Sequence, residues 1–197
     1  MAVAMKKTGN VDMITPHWHQ KSAEIQKFGE VVKDSPIGLE EKVRAASCKM
    51  LNQVLADSMA LRDMYKKHHW QTAGPTFNQL HLLFDKHYDE QVLLVDAIAE
   101  RIQILGGVTV AMGSDVAEMT KVPHPPKGKE EVPAQLSRLI EAHKIVIADA
   151  HEIGKKADDS GDDGTNDLAI SQVLRTNELQ SWFLMQHLVE MPLVEVR

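Results

Sequence analysis

The chain has 197 residues, of which 43% are hydrophobic and 25% are charged. That length and composition are typical of a globular protein with one sizeable core. Lys and Arg total 22 against 28 for Asp and Glu, and the resulting net charge of −6 excludes a general attraction to nucleic acid. A lone cysteine, Cys48, excludes an internal disulfide and fits a buried residue in a reducing compartment. Residues 1–20 hold no apolar run suited to a signal peptide or membrane span, so we expect a cytoplasmic protein.

The sequence pattern divides the chain into an arm, one domain and a tail. Residues 1–37 are predicted to form an N-terminal arm, partly ordered at best, and residues 191–197 a short C-terminal tail. Between them, apolar residues recur at helical spacing and almost no segment favours a strand. Four long helices are predicted, at residues 39–72, 76–105, 132–158 and 166–190.

The connections between these helices predict the topology. The turn at Gly74-Pro75 is short, so the first two helices should pack antiparallel. Residues 106–131 form a long connection, in which residues 114–121 are predicted to be a short helix capped by Ser114. Four long helices with one long crossover between the second and third indicate an all-α, ferritin-like four-helix bundle over residues 38–190.

Histidine and carboxylate side chains form two pairs on the second helix. His81 and Asp85 lie near its start, and Asp96 and Glu100 lie farther along, and the members of each pair are four positions apart. At about 100° per residue these four positions fall within an arc of roughly 100°, so they share one face. His69, near the end of the first helix, should come close to His81 and Asp85 across the short turn. From Asp85 to Asp96 the helix rises roughly 16 Å, which is too far for one metal site.

Two half-sites on one face can be completed by a second copy of the chain. We call His69, His81 and Asp85 the near half and Asp96 and Glu100 the far half. In a two-fold dimer, the near half of one subunit meets the far half of the other, and symmetry makes two equal sites. Imidazole and carboxylate ligands suit Fe(II), and also Zn or Mn. The sequence has no Glu-x-x-His motif, so a di-iron site of the usual kind inside the bundle is not expected. Solvated helices also carry acidic residues at spacings of four. The pattern alone therefore does not distinguish a metal site from an ordinary solvated helix face.

At these residues the chain resembles the Dps family, the ferritin-like mini-cages of bacteria and archaea. The resemblance runs through residues 66–107, KKHHWQTAGPTFNQLHLLFDKHYDEQVLLVDAIAERIQILGG. Two later stretches, DDGTNDL and ELQSWFLMQHL, are similar to the family's last hairpin and terminal helix. The resemblance covers roughly residues 38–190.

The resemblance implies a ferroxidase and iron store. It implies a dodecameric hollow shell that oxidises Fe(II), preferring hydrogen peroxide to dioxygen, and keeps ferric mineral inside. The site would lie at a two-fold interface, with His69, His81 and Asp85 from one subunit and Asp96 and Glu100 from its partner. Two further sets of residues have matching positions in the family: Trp70, beside the site without being a ligand, and the acidic residues of an iron-entry pore, Asp159, Asp163 and Asp167.

DNA binding is the alternative function. Many members of the family bind DNA through a lysine-rich N-terminal arm, but here Lys6 and Lys7 are followed by no Lys or Arg before Lys21. We therefore expect weak DNA binding at most. The alternative is a DNA-compacting stress protein in which metal oxidation is secondary.

Four additional histidines have no role in this scheme: His68, His87, His143 and His151. His143 and His151 are eight residues apart, a spacing that would place them on one helix face. A second metal site there and an ordinary surface role are both left open.

Overall fold

The computed structural model describes residues 23–190; the arm before residue 23 and the tail from residue 191 lie outside the described residues. Helices α1 (Glu41–Gln71) and α2 (Phe77–Ile104) are followed by short α3 (Gly113–Met119) and by α4 (Val132–Asp159). Helix α5 (Asp163–Asp167) continues directly into a π-helical segment, Leu168–Leu174, and then into α6 (Arg175–Gln186). Residues 23–190 contain no strand. The predicted all-α bundle is confirmed.

The α1–α2 hairpin positions the candidate site. No Gly or Pro interrupts either helix, and Gly74 takes a φ of 97° in the turn between them, a conformation that other residues rarely adopt. The two helices pack against each other along their length. The predicted antiparallel hairpin is therefore present, with the end of α1 beside the start of α2.

A single hydrophobic core lies between α1, α2, α4 and the last helical segments. Apolar residues that recur at helical spacing in α2 and α4 are buried, for example Phe84, Ile98, Leu139 and Ala150. Two apolar residues of the predicted last helix, Phe183 in α6 and Leu188 just beyond its end, are exposed in the single chain. None of the described helices is long and apolar enough to cross a membrane.

The long crossover is fastened to α1 by buried polar side chains. Asp57 accepts hydrogen bonds from the Thr120 hydroxyl at 2.7 Å and from the backbone N–H of Lys121 at 2.6 Å. The predicted short helix exists, but Ser114 is not its cap. Helix α3 begins at Gly113, so Ser114 lies inside the first turn, where its hydroxyl donates to Asp115.

The turn between α4 and α5 is held by Asp162, whose side chain is fully buried. Its carboxylate accepts from Arg101 of α2 at 2.5 Å and from the Ser47 hydroxyl of α1 at 2.5 Å. It also caps α5 by accepting from the backbone N–H of Thr165 at 3.1 Å. One carboxylate thus joins three helices at this end of the bundle.

Candidate metal centre

His69 and His81 form a reciprocal pair across the α1–α2 turn. The Nδ1 atom of His69 lies 2.8 Å from the backbone carbonyl of His81, and Nδ1 of His81 lies 3.0 Å from the carbonyl of His69. The two rings stack with 3.7 Å between their centroids. Because a carbonyl oxygen only accepts, each Nδ1 carries the hydrogen and each Nε2 keeps its lone pair. Both histidines are therefore held in the tautomer that binds a metal through Nε2.

Asp85 lies beside this pair. Its carboxylate is 3.8 Å from Nδ1 of His69 and forms an ion pair with Lys66, which lies three residues before His69 on α1. The hydrogen bond from Lys66 holds the pKa of the Asp85 carboxyl below its usual range. The predicted near half-site, His69, His81 and Asp85, is thus brought together, with Lys66 on its carboxylate.

Asp96 and Glu100 are separate from that group. Both are exposed on α2, and within residues 23–190 neither takes part in an ion pair. The same part of the chain contains no group of three or more His, Cys, Asp or Glu side chains placed to hold a metal ion. The five predicted ligands therefore form a near half and a far half on one hairpin, and a single chain does not join them.

Exposed apolar side chains surround both halves. At about 100° per residue, Leu82, Leu93 and Ile104 fall in the same arc of roughly 140° as the four polar positions of α2. Their exposed fractions are 60%, 71% and 53%. Trp70, which follows His69, is 74% exposed, so it does not pack in the core of its own chain. We call this surface, comprising Trp70, Leu82, Leu93 and Ile104, the apolar hairpin face; exposed apolar side chains around a polar site are typical of an interface.

The predicted pore residues lie at the C-terminal end of α4 and in α5. Asp159 is the last residue of α4, and Asp163 and Asp167 are the first and last residues of α5; all three are exposed. Their neighbour Asp162 faces inward instead. The structure thus separates the buried, structural Asp162 from the three exposed aspartates that were predicted to line the pore.

The additional histidines are the feature that sequence reasoning missed. His143 is fully buried and His151 is exposed, so the proposed common face is wrong. His68 and His87 are also buried, which excludes a surface role for them within the single chain. Inward-facing polar positions on three helices were the available signal, but a histidine at such a position has the same sequence appearance as a surface histidine.

Tyr65, His87, His143 and Asn177 form a hydrogen-bonded group in the bundle interior, which we call the core polar cluster. The Tyr65 hydroxyl lies 2.5 Å from Nε2 of His143 and 3.1 Å from Nδ1 of His87. Nδ1 of His143 is 2.8 Å from the side-chain oxygen of Asn177. Burial lowers the pKa of His143 to about 3 and that of His87 to about 4, so both imidazoles are neutral at neutral pH.

Comparison with known proteins agrees with the fold. The ferritin sequence profile, described as a ferritin-like domain, matches residues 48–194. DpsC from Streptomyces coelicolor is 54% identical and superposes with a TM-score of 0.86, over 88% of this chain and 100% of that chain. An archaeal Dps homologue from Halobacterium salinarum is 25% identical with a TM-score of 0.84, over 89% of this chain and 97% of that chain.

A relative known from its sequence covers a similar span. The nutrient stress-induced DNA-binding protein of a Nostoc species is 33% identical over 154 residues, which are 78% of this chain and 83% of that protein. The four-helix bundle and the profile match define a ferritin-like protein. Within that class, the chain belongs to the Dps family.

Proposed function

We propose that this protein is a ferroxidase and iron store that assembles as a hollow dodecamer and oxidises Fe(II) at sites shared between subunits. The observation that carries the proposal is the reciprocal His69–His81 pair, which leaves the lone pair of each Nε2 available to a metal, with the Asp85 carboxylate 3.8 Å from Nδ1 of His69. A histidine pair fixed in this way has the tautomer and orientation that a metal requires.

The far half of each site comes from a second subunit in this proposal. Asp96 and Glu100 lie on the same α2 face as His81 but too far along it to reach the same metal. A two-fold axis through that face brings the far half of one chain to the near half of the other. The apolar hairpin face supports this arrangement, because pairing would bury Leu82, Leu93 and Trp70 around the joined halves.

Iron is the substrate, and the ligand types suit its oxidation. The imidazoles bind Fe(II), and three carboxylates offset the added charge of Fe(III), which favours the oxidised product. For Asp85 to bind iron, the Lys66 ammonium must leave its carboxylate. Two ferrous ions at one site deliver two electrons to hydrogen peroxide, which breaks the O–O bond and gives two hydroxides without a free hydroxyl radical. This redox role favours iron over Zn, which has no redox chemistry.

Entry of iron is assigned to Asp159, Asp163 and Asp167. Their exposed carboxylates would be repeated around a three-fold axis of the shell and would attract cations most strongly at low salt. Trp70 would lie beside the completed site without binding the metal.

The direct test adds Fe(II) and peroxide to the protein while iron oxidation is followed optically and hydroxyl radical is followed with a spin trap. We expect rapid oxidation and little trapped radical. An oxidation rate no faster than in protein-free buffer would contradict ferroxidase activity, and trapped radical equal to that of protein-free buffer would contradict the two-electron use of peroxide.

DNA protection is a second candidate, and a relative's name favours it. The 33% identical Nostoc protein is described as DNA-binding, and a Deinococcus radiodurans relative as a DNA protection during starvation protein. The two lysines near the N-terminus here, Lys6 and Lys7, form a small electrostatic footprint. We expect little gel shift of duplex DNA at physiological salt. Tight binding that is lost on deleting residues 1–10 would contradict this ranking of the two functions.

A further inference from the structure

The core polar cluster places one phenol between two imidazoles in the bundle interior. The Tyr65 hydroxyl has one hydrogen to donate, and the shorter contact, 2.5 Å, leads to Nε2 of His143. Nδ1 of His143 then donates to Asn177, whose side-chain oxygen also accepts from Gln91 at 3.1 Å. His87 donates through Nδ1 to the same phenol oxygen at 3.1 Å. The donors and acceptors are therefore mutually consistent, because His87 donates to Tyr65 and Tyr65 donates to His143. Nε2 of His143 is a neutral base that accepts the phenol hydrogen.

That geometry suits the loss of an electron and a proton together. A neutral phenol is a poor electron donor because its oxidised cation is a very strong acid, and a hydrogen-bonded base that takes the proton makes the oxidation easier. Burial raises the pKa of the Tyr65 phenol, so the hydroxyl stays protonated at neutral pH and the proton remains available to move. The neutral His143 imidazole can accept the proton directly, so the proton does not have to cross the core.

Tyr65 is also close to the candidate metal centre. It lies four residues before His69 on α1, or roughly 6 Å along the helix axis. Its ring centroid lies 6.1 Å from that of Phe84 and 5.3 Å from that of His87. In α2 these two residues are one and two positions from Asp85. An electron leaving Tyr65 thus has about one turn of α1 to cross to reach the near half-site.

We propose that Tyr65 is a redox-active tyrosine that donates one electron to the metal site while His143 takes its proton, an inference that rests on the proposed ferroxidase function. The need arises when a site holds one ferrous ion instead of two. That ion reduces peroxide by one electron, giving Fe(III), hydroxide and an oxidant at the level of hydroxyl radical. Tyr65 supplies the second electron, which converts the oxidant to hydroxide. Its O–H bond breaks, leaving a neutral tyrosyl radical and a protonated His143.

A second ferrous ion completes the cycle. It gives its electron to the tyrosyl radical, the proton returns from His143 to the phenol oxygen, and the ion becomes Fe(III). The sum is two ferrous ions oxidised and one peroxide reduced to two hydroxides, the same as at a fully occupied site. Tyr65 therefore stores one oxidising equivalent until the second iron arrives.

The chain supplies its own control, because Tyr88 is its only other tyrosine. Tyr88 carries the Lys66 ammonium 4.1 Å above its ring centre, and a cation there opposes the loss of an electron. Among the described residues, no imidazole or carboxylate is hydrogen-bonded to its hydroxyl. Tyr65→Phe and Tyr88→Phe each remove one hydroxyl and keep the ring, so they form a matched pair.

The first experiment mixes the protein, loaded with one Fe(II) per site, with peroxide and freezes it for electron paramagnetic resonance. We expect a tyrosyl signal that narrows when the protein contains ring-deuterated tyrosine. Tyr65→Phe should lose it and Tyr88→Phe should keep it. His143→Leu should also lose it, with His151→Leu unchanged. A signal that survives in Tyr65→Phe, or an absent tyrosyl signal in protein that oxidises iron, would overturn the proposal.

The second experiment uses no iron, so that failure of the ferroxidase function is distinguishable from failure of this inference. Azide radicals generated by pulse radiolysis oxidise surface tryptophans, and the hole then moves to the most easily oxidised tyrosine. We expect tyrosyl absorption to form in wild type and in Tyr88→Phe but not in Tyr65→Phe. Equal yields in the two variants, or loss only in Tyr88→Phe, would contradict the assignment even in a protein that oxidises no iron.

Discussion

His69 and His81 each donate a hydrogen bond to the other's backbone carbonyl, at 2.8 and 3.0 Å, so each ring fixes the orientation of its partner. Two residues 12 positions apart in sequence therefore act as one unit. Loss of either ring removes one ligand and also releases the other ring from its fixed orientation.

His81→Ala should therefore lower the affinity for Fe(II) by roughly tenfold or more, since it removes a ligand and the support of a second. Anaerobic calorimetric titration with Fe(II) measures this directly. His151→Ala is the control, because His151 is exposed on α4 and outside the candidate site. Unchanged affinity in His81→Ala, or an equal loss in His151→Ala, would show that the histidine pair does not bind the metal.

Acid should destabilise the fold through its buried histidines. Burial lowers the pKa of His143 from 6.5 to about 3 and that of His87 to about 4. The unfolded chain takes up protons below 6.5 while the folded chain does not, so stability is greatest above 6.5 and falls as pH drops toward the folded values. At about pH 5 each of the two histidines should have lowered the free energy of unfolding by about 2 kcal/mol relative to neutral pH.

Urea unfolding at neutral pH and at about pH 5 tests this dependence. The difference between the two conditions should be smaller by about 2 kcal/mol in His143→Leu than in wild type. His151→Leu should retain the full difference. An equal pH dependence in wild type and His143→Leu would mean that His143 is not held neutral.

Neighbouring aspartates should differ sharply in their effect on stability. Asp162→Ala leaves the Arg101 guanidinium without its buried partner and removes the cap of α5, so we expect a loss of about 3–5 kcal/mol. Asp163→Ala changes an exposed carboxylate and should stay within about 0.5 kcal/mol. Thermal unfolding of both variants measures the contrast. Similar losses in the two would show that the buried triad of Ser47, Arg101 and Asp162 does not stabilise the bundle.

The acidic surface between α4 and α5 should speed iron entry. Replacing Asp159, Asp163 and Asp167 by Asn should slow Fe(II) oxidation at low salt, and the difference from wild type should shrink as salt screens the charges. The control neutralises three other exposed acids, Glu41, Glu118 and Glu141, by Gln. If both triple variants slow oxidation equally, net charge explains the effect and a local pore does not.

Helical periodicity was enough to predict the hairpin and the residues that share its outer face. A short turn necessarily places His69 beside His81, and a spacing of four necessarily aligns His81 with Asp85. The orientation of those rings depends on side-chain rotamers, which no spacing encodes. The Lys66–Asp85 ion pair likewise joins residues from two helices whose relative rotation follows from core packing.

The interior was less predictable than the surface. Burial of His87 and His143 is made possible by hydrogen bonds to Tyr65 and Asn177, and these two partners lie 22 to 78 positions away along the chain. The π-helical segment Leu168–Leu174 also left no mark in the apolar pattern. Its side chains pack closely on α4, where Ile170 occupies the space that a Cβ on Gly154 would need.

The claim that each site is shared between subunits is tested most directly by mixing two inactive variants. His81→Ala removes a near-half ligand and Glu100→Ala a far-half ligand, so each alone should abolish oxidation at every site. After joint unfolding and reassembly in equal parts, half of the two-fold pairs are mixed, and in each mixed pair one site carries both defects and the other carries none. About a quarter of all sites should then regain activity. Activity no higher in intact mixed shells than in either variant alone would contradict a shared site.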